Sequence, residues 1–197
     1  MLFREQVLKS YYPIKVYQNK YYSACGTKIT AFDSTRKNDL IGKAKFSNAT
    51  TTAVFELLNT CGIKTHYVKK HDDESFIGIG CDMIPLEVVT RRIATWLVFE
   101  EVTLESRKGT DLHLLNWRCS SKMMPSMIRF WTYEQCVENE LIVGGKKIGK
   151  HELNIMGEMA VAVFEILERA WATVDVALVD MKVEFGFSNK DWRTSPC

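Results

Sequence analysis

No run of 18 apolar residues exists in this chain, so no segment reads as a membrane-spanning helix. Arg4 and Glu5 stand before any apolar run develops, and the expectation is that there is no signal peptide. An excess of one charge is lacking too. With 26 Lys and Arg against 24 Asp and Glu the net charge is +2, which gives no reason to expect nucleic acid or an anionic membrane as partner. The six cysteines form no CxxC pair and no dense secreted framework, so reduced thiols in a cytoplasmic protein are expected. None of the four histidines sits at zinc-ligand spacing from them. Repeats and low-complexity linkers are also missing. What is present is a 46% hydrophobic chain of 197 residues, long enough to bury a core as one domain or as two small lobes.

Residue patterning reads as mixed α and β. Residues 21–30 are strand-like, and 50–60 read as a helix with Val54, Leu57, Leu58 and Cys61 on one face and Gly62 as its C-terminal stop. Residues 66–68 and 75–79 read as a hairpin and 83–89 as a further strand. The longest helical period covers 151–171 and is expected to bury Met156, Met159, Ala160, Val163, Phe164, Leu167 and Trp171. Residues 177–187 are the last expected strand, whereas 96–130 settle into neither period. Strands first, then a long helix feeding a strand, give an α+β fold.

The octet from Val179 to Gly186 carries the most chemistry. Read as a strand, it sends Asp180, Lys182 and Glu184 to one face and Val179, Met181, Val183 and Phe185 to the other. Two carboxylates, each roughly 7 Å along the strand from the ammonium between them, suit a magnesium nucleotide or a polar substrate. The plainer reading is the solvated face of an amphipathic strand.

The octet resembles the signature L-V-D-x-K-x-E-F-G of phosphoribosylaminoimidazole-succinocarboxamide synthase (SAICAR synthetase). Residues 29–44, ITAFDSTRKNDLIGKA, resemble that family's I-T-A-G-[DN]-x-x-R-K-x-x-x-x-G-K-A, and residues 83–95, MIPLEVVTRRIAT, resemble M-I-P-[IL]-E-x-[IV]-x-R-R-x-A-T. The three blocks stand in the family's order, and the resemblance, to the animal form above all, spans residues 29–95 and 131–186.

The resemblance implies a two-lobed fold, with a β-rich nucleotide-binding lobe over residues 1–84, an α/β lobe over 85–197 and ATP in the cleft between them. It implies a cytoplasmic, ATP- and magnesium-dependent ligase that joins L-aspartate to carboxyaminoimidazole ribotide, giving SAICAR in purine biosynthesis. Its partners would be those small molecules, with no nucleic acid and no membrane, and homo-oligomerisation is left open. The ribotide carboxylate would be activated as an acyl phosphate and attacked by the amine of aspartate. Asp180 and Lys182 would be the catalytic residues at the imidazole substrate, and Glu184 would hold magnesium and the nucleotide. Met83 would line the adenine pocket. Asp33, Arg91 and Arg193 would bind substrate, Arg193 through an Asp191-Trp192-Arg193 tripeptide that resembles D-S-W-R. Without the resemblance, Arg91 is a surface arginine, Met83 a core filler and Asp33 a turn cap.

The chain also departs from the family. Its start shows no G-K-[TA]-K phosphate loop, Trp96-Leu97 and Lys122-Met123-Met124 stand where the family has G-S and a metal-holding K-D-D, and residues 187–197 leave no room for the family's further metal carboxylate. Taken literally, these departures favour an alternative, a catalytically inactive relative that acts through partner binding.

The codons behind residues 96–130 offer another account. Read one nucleotide later, Trp96 to Glu101 can spell G-S-F-L-K-R, the family's continuation after A-T. Read two nucleotides later, Val102 onward can spell a text that includes K-D-D-A and N-D-P. Here the step from Met123 to Met124 forces Asp, Met124 to Pro125 forces Ala, and Met127 to Ile128 forces Asp. The family's frame resumes at Trp131-Thr132-Tyr133-Glu134-Gln135, and residues 9–27 give a weaker hit of the same kind. The expectation is that 96–130 are an out-of-frame reading of an ordinary family member's gene, poorly ordered if made as written.

Overall fold

The structure is a computed structural model that describes residues 2–5, 13–17, 20–31, 36–93, 111–121 and 130–188. It divides into two compact units, Met1–Asp82 with Gly186–Cys197, and Met83–Phe185.

The first unit contains β1 (Leu2–Glu5), β2 (Pro13–Tyr17), β3 (Lys20–Ala24), β4 (Lys28–Ala31), β5 (Arg36–Asp39), α1 (Lys43–Thr60), β6 (Tyr67–Lys70) and β7 (Ser75–Ile79). An antiparallel sheet runs in the order β2-β3-β7-β6, and β4 pairs with β5 as a separate hairpin. The core is aromatic. Phe55 of α1 lies 4.9 Å from His66, 5.8 Å from Tyr67 and 6.0 Å from Phe76 between ring centroids, within the range where ring pairs attract. Asn48, fully buried on the same helix, donates through Nδ2 to the carbonyls of Asp72 and Ser75 at 2.9 and 3.2 Å, tying α1 to the β6–β7 turn.

Gly62 ends α1 as expected. Its φ of +86° admits glycine without strain, its N–H bonds the Asn59 carbonyl at 3.1 Å, and the Ile63 N–H reaches the Leu58 carbonyl at 2.9 Å. Two other expectations are corrected. The strand expected over 21–30 is two strands, because the chain leaves the β3–β7 ladder after Cys25, whose N–H bonds the Glu74 carbonyl at 2.8 Å, and bends at Thr27 before β4. The helix expected from residue 50 begins at Lys43. Residues 47–52, Ser-Asn-Ala-Thr-Thr-Thr, are apart from Ala49 weak helix formers; Thr50 and Thr52 bond back to the carbonyls of Phe46 and Asn48, and the Asn48 bonds to Asp72 and Ser75 hold the stretch in place.

The second unit contains β8 (Cys81–Ile93), β9 (Asp111–Ser121), β10 (Phe130–Trp131), α2 (Tyr133–Glu138), the short hairpin β11 (Ile142–Val143) and β12 (Lys146–Lys147), α3 (Lys150–Ala172) and β13 (Asp180–Ser188). Its sheet runs β13-β8-β9-β10. On β8 the even positions Ile84, Leu86, Val88 and Thr90 are buried, so the odd positions Met83, Glu87 and Arg91 share the other face. α3 buries Leu153, Met156, Ala160, Val163, Phe164 and Leu167. Arg92 of β8 joins the helix through two bonds of 2.9 Å to the carboxylate of Glu168. Trp171, expected in that core, is exposed in the helix's last turn.

α2 opens on a capping box. The Gln135 N–H donates to the Thr132 hydroxyl at 3.3 Å, and the Thr132 N–H donates to the Gln135 side-chain oxygen at 3.0 Å. The W-x-x-E-Q block thus has a structural reason for its Gln. Within 96–130, where the sequence settles into neither period, residues 111–121 form β9. β9 pairs antiparallel with β8 from Leu86↔Ser121 to Arg91↔Asn116, and then the register shifts to Ile93↔Asp111. The alternation of Leu112 and Leu114 with Leu115, Trp117 and Cys119 slips phase near that shift, which hides the period in the sequence. The α+β class holds.

Candidate active site

β13 and β8 are neighbours, and the Arg92 N–H donates to the Val179 carbonyl at 3.1 Å where the two strands begin to run side by side. On β13 Val183 and Phe185 are fully buried and strand geometry puts Asp180, Lys182 and Glu184 on the other set of positions, but burial does not alternate, since Glu184 is buried too and Met181 only half-buried. Opposite charges then meet across the strands. Arg91 donates through Nε and Nη2 to Oδ2 of Asp180 at 3.0 and 2.6 Å. Lys182 Nζ lies 2.8 Å from Oε2 of Glu87.

Burial grades along this ladder. The Asp180 side chain is 42% exposed and that of Lys182 31%, while Glu184 as a residue is only 3% exposed. Half-shielded ion pairs of this kind interact more strongly than surface ones, because less water screens them. The buried Glu184 carboxylate is a hard oxygen donor of the type magnesium takes. Among the described residues no three His, Cys, Asp or Glu side chains cluster as a metal cage. Magnesium does not need one, since one or two carboxylates together with nucleotide phosphates commonly hold it.

The structure therefore brings together Arg91, Asp180, Lys182 and Glu184, and puts Met83 on the same face of β8 as Arg91. Asp33 and Arg193 lie outside the described residues. Glu87 is a member of this constellation that the motif reading matched, as the E of M-I-P-[IL]-E, but to which it gave no role. Its signal was its odd-numbered place on β8, in phase with Met83 and Arg91.

The arrangement is that of an α+β protein with an ordered acid–base ladder on one sheet face. A family model described as SAICAR synthetase matches residues 8–193. Among curated relatives, the Multifunctional protein ADE2 of Gallus gallus is 40% identical over 86% of this chain and 42% of its own length. A phosphoribosylaminoimidazole-succinocarboxamide synthase of Herpetosiphon aurantiacus is 30% identical over 91% of this chain and 74% of its own. Among solved structures, the SAICAR synthetase of Pyrococcus horikoshii superposes with a TM-score of 0.82 at 27% identity, over 92% of this chain and 76% of that one. A second, titled SAICAR synthetase in complex with ADP, has a TM-score of 0.80 at 26% identity, over 94% and 76%. The chain belongs to the SAICAR synthetase family. It spans less than half the length of the animal relatives it matches. Among the described residues no helix is long and apolar enough to cross a membrane.

Proposed function

We propose that this chain is an ATP-dependent ligase that forms SAICAR from L-aspartate and carboxyaminoimidazole ribotide in purine biosynthesis, in the cytoplasm, with magnesium as cofactor. The observation that carries it is the ladder of Arg91 with Asp180 and Lys182 with Glu87 beside the buried Glu184, in a chain whose family model covers residues 8–193. The ADP of the structural relative and the synthetase names of the curated ones support the nucleotide and the reaction class.

The chemistry asks the protein to hold several anions together. Arg91 offers a planar guanidinium to the ribotide, oriented in advance by Asp180. Lys182 presents its ammonium to the ribotide carboxylate and stabilises charge as the acyl group is activated. Glu184 gives carboxylate oxygens to magnesium, which when bound neutralises phosphate charge. Met83 lines the adenine site, and Asp33 and Arg193 meet the substrates from their own segments. In this reading residues 1–84 form the β-rich nucleotide-binding lobe and 85–197 the α/β lobe.

The test is turnover by the protein purified from its natural source with ATP, magnesium, aspartate and the ribotide. SAICAR and ADP appearing in equal amounts, and only when all four are present, is the expected result. ADP release without the ribotide, or ADP release with all four present and no SAICAR, would sink the proposal.

A further inference from the structure

We propose that Glu87 is a positioning residue for Lys182, fixing where its ammonium meets the ribotide carboxylate; this rests on the ligase reading above. Lysine carries a compact charge on a long flexible stem, so a catalytic lysine needs something to aim it. On β13 the carboxylates of Asp180 and Glu184 flank Lys182 two residues away on either side, each roughly 7 Å along the strand, and either could draw the ammonium along the strand. Asp180 Oδ2 is already taken by two bonds from Arg91. Glu87 Oε2, at 2.8 Å, instead turns Lys182 across the strands towards β8.

The pair differs from the chain's ordinary surface bridges. In the Lys45–Asp73 and Lys147–Glu140 pairs every side chain is at least 59% exposed, whereas Lys182 is 31% and Glu87 15% exposed. Shielding from water gives the pair a directing force that the surface bridges lack. Glu87 also lies in phase with Met83 and Arg91 on β8, so the carboxylate and the ammonium it holds share the face that carries the proposed site.

The experiment is ligand protection of Lys182 against an amine-acylating reagent, read peptide by peptide by mass spectrometry on the full chain, with Lys45 and Lys147 as internal controls. In the unaltered protein the ribotide shields Lys182. In Glu87→Gln the ribotide concentration for half-protection rises tenfold or more, while ADP affinity by calorimetry stays within twofold. An unchanged half-protection concentration overturns the positioning role alone. A parallel loss of ADP affinity also overturns it, since that reports general loosening of the fold. No protection of Lys182 by the ribotide in the unaltered protein overturns the ligase reading and this inference with it. Should Glu87→Gln not fold, Glu87→Asp, which keeps the charge but shortens its reach, carries the test. A rise of threefold or more is then expected, and no rise overturns the proposal.

Discussion

Arg91 and Tyr67 show what one residue's surroundings decide. Arg91 meets Asp180 with two nitrogens at 3.0 and 2.6 Å, a geometry that a lysine's single ammonium cannot reproduce. Arg91→Lys is therefore expected to raise the KM for the ribotide by about tenfold and leave the KM for ATP within twofold, the energy at stake being that of one charged hydrogen bond, about 1.5 kcal/mol. Steady-state kinetics with each substrate varied separately decides it, and a rise confined to ATP counts against the assignment. Tyr67 sits in the aromatic core, and burial, then the 2.6 Å bond from its hydroxyl to Glu56, raises its pKa. The neutral phenol is the proton-bound form, and the folded state holds that proton more tightly than the unfolded chain. Its contribution to stability is thus complete below the ordinary tyrosine value near 10 and is lost as the pH rises from there through the raised value. Tyr67→Phe removes both the bond and this titration. Urea midpoints measured from pH 8 to 11.5 should show a lower plateau for Tyr67→Phe but a shallower alkaline decline, and parallel curves would refute this account.

The elements differ in how openly the sequence declares them. α3 was visible because Met156, Ala160, Val163, Phe164 and Leu167 recur at helical spacing, and all of them are buried. The first two turns of α1 were not, since no apolar stripe marks the Ser-Asn-Ala-Thr run, and tertiary bonds from Asn48 hold it to the β6–β7 turn instead. Faces were readable on β13 from alternation alone. Partners were not, because Arg91 and Asp180 stand 89 residues apart and only strand pairing brings them together. The role of Glu87 was missed for the same reason: alternation puts it in phase with Arg91 but cannot show that Lys182 arrives beside it. Local signals make the element-scale predictions firm. Thr132→Ala removes one half of the α2 capping box and is expected to cost about 0.5–2 kcal/mol. Phe164→Ala leaves a void in the fully buried face of α3 and is expected to cost about 3–5 kcal/mol. Equilibrium urea unfolding of both variants tests the order. A Thr132→Ala loss as large as that of Phe164→Ala would mean α2 carries more than its cap.

Across the whole molecule, the family model spans residues 8–193, yet the family's G-S and K-D-D texts are missing from 96–130 as written. Residues 111–121 nonetheless pair as β9, with β8 on one side and β10 on the other. Strand pairing is a backbone property that many texts satisfy, provided they contain β-branched, aromatic or other half-buriable residues in some alternation. A shifted text can therefore keep a strand and still lose the side chains that a metal site needs. The forced Asp from Met123-Met124 recovers an acid of the K-D-D cluster from the neighbouring frame, that from Met127-Ile128 recovers the Asp of N-D-P, and a third single-nucleotide shift near Phe130 restores the family text at Trp131-Thr132-Tyr133-Glu134-Gln135. Peptide mapping across residues 90–140 of the protein from its natural source is expected to yield a G-S-F-L-K peptide and a K-D-D peptide. The same preparation should then show magnesium-dependent turnover, because the added acids complete the donors that Glu184 begins. If the peptides instead contain Trp96-Leu97-Val98 and Met123-Met124, the frame account is wrong. The charge ladder would then stand on β8 and β13 without its acidic neighbours, and turnover should fall to the level of a Glu184→Gln variant.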